Sequence, residues 1–113
     1  MDFCVMPRCY GPTVCLAPAG ELDLDSRAVL DELYMGADEA TVVACDMRHL
    51  TFMDVTGLDG LIDFAGRLDG RSLRFFAHSW QPQPSRLLDA LYPPAGAKGI
   101  RGGPTRLLRR TLP

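Results

Sequence analysis

The sequence predicts an α/β fold: a mixed sheet of about four to five strands with helices mainly on one face. Two observations predict it. A pair of apolar segments with a turn signal between them opens the chain, and amphipathic helical stretches then alternate with strand-like runs. The 113 residues suit one domain with its own core. We expect a single domain over 1–113, with its core at about 2–92 and a basic Gly/Pro-rich segment at 93–113.

The first strands come from an N-terminal hairpin and a buried run. Residues 2–9 and 13–19 are apolar-rich and extended in character, and Gly11 and Pro12 between them are a turn signal. Residues 41–45 form a short apolar run with β-branched members, which is typical of a strand covered on both faces. We expect this run at the centre of the sheet, and a further strand at 72–77.

Apolar residues at helical spacing predict three helices. The first covers about 25–36, with Asp25 and Ser26 as candidate N-cap residues, and the third covers 84–91. The second, at 57–68, is amphipathic. Its expected apolar stripe consists of Leu58, Leu61, Ile62, Ala65 and Leu68.

The C-terminal segment is rich in glycine, proline and arginine. We expect an edge strand around 98–101 and a helical turn at 106–112. Ahead of the segment, Trp80 is expected as a partly buried cover on the sheet edge, with an exposed interface anchor as the alternative. The clustered arginines fit either a solvated tail or a contact with an acidic patch, including one on a second copy of the chain. These arginines are Arg101, Arg106, Arg109 and Arg110.

Charge is divided unevenly along the chain. The formal net charge is -2, but residues 1–70 carry -9 and residues 71–113 carry +7. Affinity for nucleic acid comes mainly from accumulated Lys and Arg, so a pI near 5.5 argues against a nucleic-acid binder. The acidic part instead favours a protein partner with a basic surface.

Neither metal nor catalytic chemistry is indicated. The cysteines form no C-x-x-C pair, so their spacing does not suit zinc, and we expect them to be small core residues. They are Cys4, Cys9, Cys15 and Cys45. His49 and His78 lack a Ser-His-Asp or Cys-His context, and no glycine-rich phosphate cradle is visible. We expect a protein that is not an enzyme and needs no cofactor.

The sequence shows no signal peptide pattern, and no apolar stretch approaches the about 18 residues of a membrane span. We therefore expect a cytoplasmic protein without a membrane span.

The segment 50–58 runs from a predicted strand through a tight loop into the second helix. Helix N-termini expose unpaired N–H groups and favour acidic or phosphorylated side chains. Thr56, three residues before Asp59, resembles the start of a capping box with aspartate in place of glutamate. The segment therefore predicts at least a well-capped helix.

Two motifs occur together with this segment. GELD at residues 20–23 precedes a predicted helix and a strand that ends at Cys45 and Asp46, and LTFMDVTGL then fills residues 50–58. This combination resembles the anti-sigma factor antagonists built on the STAS domain, over roughly residues 10–92. The resemblance implies a small cytoplasmic, STAS-like α/β domain of bacterial signalling.

The resemblance also implies a partner and a switch. Members of this family bind an anti-sigma factor, typically a serine kinase of the histidine-kinase-like ATPase fold, and so free a sigma factor for transcription. Partner switching follows when the kinase phosphorylates a serine just after the loop aspartate, and a metal-dependent phosphatase reverses it. A phosphate adds about -1.5 to -2 charge, which opposes docking on a partner that accepted the neutral loop.

This sequence departs from the family at the switch itself. Val55 stands where the phosphorylated serine falls, and valine has no hydroxyl. Thr56 is the next residue and has two interpretations, a helix cap or a relocated phosphorylation site. The leading interpretation is an antagonist, or a STAS-type scaffold, that keeps the docking surface and has lost or moved its phospho-switch.

The expected partner-binding residues follow from the same resemblance. They are Asp23, Asp54, Val55, Thr56, Gly57 and Leu58. Asp23 has a second interpretation as a helix cap, together with Asp25. The alternative function is a STAS subunit that binds the ATPase of a phospholipid ABC transport system, or a component of a stress-signalling scaffold, since both work without a serine at position 55.

Overall fold

The computed structural model describes residues 3–37, 39–92 and 107–108. Five strands and three α-helices follow one another in the order β1 (Cys4–Tyr10), β2 (Thr13–Leu22), α1 (Arg27–Met35), β3 (Val42–Asp46), β4 (His49–Met53), α2 (Val55–Gly70), β5 (Arg74–His78) and α3 (Pro82–Leu91). A single 3-10 turn, Leu24–Ser26, leads into α1.

Strand β2 organises the sheet. It pairs with β1 as an antiparallel hairpin. Gly11 in the turn between them has a φ of +60°, which glycine adopts without steric strain. The other edge of β2 is shared, since the amino half pairs in parallel with β3 and the carboxyl half with β4. Strand β5 lies parallel to β3 on the far side. The predicted mixed sheet with an N-terminal hairpin and an interior β3 is confirmed.

One apolar core joins the sheet to the helices. Along β2, alternate residues from Leu16 to Leu22 are buried, as the period of a strand requires. Phe75 of β5 packs against Phe64 of α2 with its ring edge-on, at 6.1 Å between centroids. The predicted stripe of α2 belongs to this core, and Ile62 packs against it partly buried.

Arg67 joins the two helices on the outside of the core. Its guanidinium donates a 2.8 Å hydrogen bond to Asp31 of α1 and lies 4.0 Å from the centre of the Tyr34 ring. The hydrogen bond with Asp31 raises the pKa of Arg67. This exposed contact links α2 to α1 at one point on the surface.

Several helix boundaries differ from the sequence expectation: α1 begins at Arg27 and not at about 25, and α2 ends at Gly70 and not at residue 68. Helix α2 begins at Val55 and not at residue 57, because Asp54 is its N-cap. Helix α3 begins at Pro82 and not at residue 84, since a proline in the first turn loses no intrahelical hydrogen bond.

The expectation that all the cysteines are core residues was wrong. Cys45 on β3 is buried, whereas Cys4 and Cys9 are exposed and Cys15 is half-buried. The reason is that β1 is an outer strand of the sheet, so few atoms cover its side chains. Burial raises the pKa of Cys45 to about 12, which keeps this thiol protonated and unreactive.

Several C-terminal expectations fall outside the described residues. These include the edge strand at 98–101, most of the turn at 106–112 and the clustered arginines. Leu107 and Leu108 are described and are buried in the core. Trp80 packs partly buried against the core, as expected. No helix in the described part of the chain is long and apolar enough to cross a membrane.

Candidate functional site

The carboxyl ends of β2 and β4 lie side by side. Leu22 pairs with Met53, and the Asp54 amide donates to the Leu22 carbonyl oxygen at 3.2 Å. Asp23 and Asp54 directly follow these paired residues. The structure therefore places Asp23 of the first motif and Asp54 of the second motif at the same end of the sheet, although they are far apart in the chain.

Asp54 is the N-cap of α2. Its backbone is extended, and its Oδ1 accepts a 2.7 Å hydrogen bond from the Gly57 amide. Thr56 lies inside the helix, and its hydroxyl donates to the same Oδ1 at 2.8 Å. The interpretation of Thr56 as the N-cap was wrong. Asp54 is the N-cap, and the Thr56 hydroxyl is hydrogen-bonded to its carboxylate.

Gly57 explains why the helix starts here. A Cβ atom at this position would lie 2.1 Å from the Leu22 carbonyl oxygen and 3.1 Å from the Asp23 amide nitrogen. The first turn of α2 therefore sits directly against the end of β2, which no larger residue permits. This contact fixes the Asp54 cap beside Asp23.

Asp23 closes a capping box of its own. Its Oδ1 accepts from the Asp25 amide at 3.0 Å, and its own amide donates to the Ser26 hydroxyl at 3.1 Å. Ser26 is 2% exposed. Asp23 is therefore a cap, as expected, but it caps the 3-10 turn that leads into α1 and not α1 itself. Asp25 and Ser26 do not cap α1 through their side chains, because Ser26 turns back toward Asp23.

Exposed apolar side chains lie next to these two caps in the chain and in the strand pairing. Leu24 is 60% exposed, Phe52 is 42% exposed and Val55 is 50% exposed. Leu24 follows Asp23, Val55 follows Asp54, and Phe52 pairs with Glu21 at the end of β2. We call this set the cap surface; it consists of Asp23, Leu24, Phe52, Asp54, Val55 and Thr56.

Sequence reasoning missed Leu24 and Phe52. One signal in the sequence could have indicated Leu24. It is a single apolar residue between two aspartates, outside the apolar stripe of any predicted helix. Phe52 lies two residues after buried Leu50, so strand alternation alone would turn it inward; it is exposed where the register of β4 with β2 shifts, between Gly20 and Glu21.

Two residues expected at the site lie in the core. Leu58 is 0% exposed and Gly57 is buried against β2. The expectation that Leu58 contacts a partner does not fit this burial, because a partner could not reach its side chain. Gly57 acts through the close approach of two backbones.

Helix α3 supports the cap surface from β4. The Gln83 side chain accepts from the Met53 amide at 2.8 Å and donates to the Met53 carbonyl at 2.9 Å. Gln81 donates similarly to the Arg48 carbonyl. These amides satisfy backbone groups of β4 and its approach, and so fix the residue just before Asp54.

The acidic side chains of the cap surface are engaged with the backbone. Within the described ranges, no group of three His, Cys, Asp or Glu side chains could hold a metal ion. The carboxylates of Asp23 and Asp54 accept hydrogen bonds from neighbouring amides, which assigns them to holding the backbone. The side chains of Leu24, Phe52 and Val55 are the large apolar groups that this surface exposes to solvent.

Comparison with solved structures identifies the class of fold. No protein-family model matches the sequence, and no curated protein matches it at a significant level. The architecture is nevertheless that of anti-sigma factor antagonists, at sequence identities that establish the fold and leave the function to be argued.

Three similar structures illustrate this. The unphosphorylated anti-sigma factor antagonist SpoIIAA shares 17% identity over 80% of each chain, with a TM-score of 0.65. An antagonist from Mycobacterium paratuberculosis shares 17% identity over 86% of this chain and 88% of that one, with a TM-score of 0.66. The phosphorylated Bacillus SpoIIAA shares 19% identity over 81% and 85%, with a TM-score of 0.58.

Replacing Asp54 with alanine tests the cap. We expect Asp54→Ala to lower the free energy of unfolding by about 1 kcal/mol, because the Gly57 amide loses its acceptor. Asp54→Asn keeps an acceptor oxygen and is expected to lose less than half as much. Urea denaturation followed by circular dichroism measures both, and equal losses would contradict the capping role.

Proposed function

We propose that this chain is an anti-sigma factor antagonist-like binding module. It docks through the cap surface on an anti-sigma factor of the histidine-kinase-like ATPase fold, and so regulates sigma-factor-dependent transcription in the bacterial cytoplasm. The observation that carries the proposal is Val55, an apolar residue held half-exposed at the start of α2, directly after the Asp54 cap.

The composition of the cap surface supports a protein partner. Leu24, Phe52 and Val55 each expose apolar area within two residues of Asp23 or Asp54 in the chain, and exposed apolar area with a polar rim is typical of protein interfaces. Asp23 and Asp54 make that rim acidic. A complementary partner offers an apolar recess edged by basic side chains.

The chemistry at position 55 supports docking without the usual phospho-switch. Valine has no hydroxyl to phosphorylate, and the Thr56 hydroxyl donates a hydrogen bond to Asp54 Oδ1 that a phosphate on Thr56 would remove. The antagonist would therefore stay competent to bind in the presence of ATP. Neither the kinase activity of the partner nor a phosphatase is then needed to set its binding state.

A kinase assay tests the loss of the switch. The native chain, incubated with its anti-sigma factor and ATP, is expected to keep its intact mass. Val55→Ser places a hydroxyl at the helix start and is expected to gain the mass of one phosphate, because the kinase then meets its usual acceptor.

Thr56→Val is the matched control for the neighbouring hydroxyl. The double variant with Val55→Ser and Thr56→Val should still be phosphorylated, which assigns the phosphate to position 55. Stoichiometric phosphate on Thr56 of the native chain would contradict the loss of the switch and leave the docking proposal to its own tests.

A further inference from the structure

A cavity of about 250 Å³ lies far from the cap surface. It opens at the amino ends of β2 and β3, near Val14 and Val43, whereas Asp23 and Asp54 follow the carboxyl ends of β2 and β4. The hairpin, the end of α1 and the core all contribute walls. Docking at the cap surface therefore makes no use of this cavity.

The walls are apolar with one charged residue at the edge. Strand side chains and the end of α1 meet there; the apolar lining includes Pro7, Val14, Leu16, Leu33, Ala37 and Phe64. Glu32, exposed on α1, is the charged residue among the described ones that line it. Cys9 of β1 lines the cavity as well and is exposed to reagents.

The size of the cavity indicates the size of an occupant. Protein interiors are packed with few voids larger than a water molecule. An apolar cavity of about 150 Å³ holds one benzene ring, so about 250 Å³ corresponds on that scale to about ten carbon atoms. A short alkyl chain or a fused pair of rings meets this requirement.

We propose that the cavity is a binding site for an amphiphilic amine. The apolar body, of about eight to ten carbons, fills the space between the hairpin and α1, and the ammonium group faces the Glu32 carboxylate. Charge complementarity selects the head group, because a fatty acid of the same length would set its carboxylate beside that of Glu32.

Protection of Cys9 from alkylation tests this site in the full chain. Cys4 is an internal control, because it is exposed on the same strand but its side chain points to the other face of the sheet. The probe is n-octylamine, and n-octanol and octanoate are the comparisons. Iodoacetamide labelling of each cysteine is followed by peptide mass mapping.

We expect n-octylamine to slow Cys9 labelling about tenfold at ten times its half-protecting concentration, with Cys4 unchanged. Octanoate should protect less than octanol does. Glu32→Gln should weaken protection by the amine about two- to fivefold, as for an exposed ion pair, and leave octanol unchanged.

A cavity-filling variant decides whether the cavity itself binds. Val14→Phe should abolish protection without lowering the melting temperature, and Leu33→Phe takes its place if the first variant unfolds. Equal protection of Cys4, or protection that survives filling, would overturn the proposal. Cys9 labelling that slows with protein concentration alone would also overturn it and assign the cavity to a second copy.

Discussion

Replacing Gly57 with alanine is expected to lower the free energy of unfolding by about 3 kcal/mol or more. The added Cβ would lie 2.1 Å from the Leu22 carbonyl oxygen and 2.6 Å from its carbon. Both are backbone atoms of a paired strand, so neither can turn aside as a flexible side chain would. Helix α2 must therefore move away from β2, which breaks the hydrogen bond from the Asp54 amide to the Leu22 carbonyl oxygen.

Gly66→Ala is the matched control on the same helix. Among the described residues, no atom outside its chain neighbours and the nearby helix backbone lies within 4 Å of the position that its Cβ would take. Alanine is the better helix former, so we expect this change to raise stability by about 0.5–1 kcal/mol. Urea denaturation of both variants provides the comparison. Losses of equal size, or a Gly57→Ala protein as stable as the native chain, would contradict the close contact of α2 with β2.

Introducing a carboxylate at position 55 is expected to weaken binding to the anti-sigma factor about 100-fold, or about 2.7 kcal/mol. Val55 belongs to the cap surface and is half-exposed. In Val55→Asp, the new charge lies beside Asp54 and has to be desolvated in the complex. The same charge in the free chain lies at a helix N-terminus, where it is favourable, so the fold survives.

Met35→Asp is the control for this variant. Met35 is 68% exposed at the end of α1, and α1 starts at the 3-10 turn next to Asp23 and runs away from it. Its charge change equals that of Val55→Asp, but we expect an affinity within twofold of the native chain. Isothermal titration calorimetry measures both. Equal weakening by the two variants would point to overall charge and not to the cap surface.

The order of strands and helices was predictable because the patterns behind it are local. The turn at Gly11, the apolar run of β3 and the stripe of α2 each place their residues without reference to the rest of the chain. The placement of Asp23 and Asp54 at the same end of the sheet was predictable only from the resemblance of the two motifs to a known family.

The cap of α2 was harder to predict, because the decisive contact is not local. Asp54 and Thr56 are both good N-cap residues, and sequence offers no choice between them. The packing of Gly57 on Leu22 sets the start of the helix, and that contact joins residues 35 positions apart. The amide pair of Gln83 with Met53 depends on tertiary placement in the same way, with 30 positions between the partners.

Exposure at the cap surface was hidden for a related reason. Leu24 and Phe52 are residue types that are usually buried in the core. Only the three-dimensional structure shows that their side chains are exposed. The cysteines of β1 were placed wrongly on the same ground, because their burial depends on the position of β1 at the outside of the sheet.

Hydrogen–deuterium exchange of the native chain, with and without its anti-sigma factor, tests the docking proposal most directly. With ATP present, the account predicts a stable complex in which amides of residues 23–26 and 52–57 gain protection, while those at the end of α1 around Met35 do not. Protection confined to other parts of the chain, or a complex that dissociates when ATP is added, would contradict it.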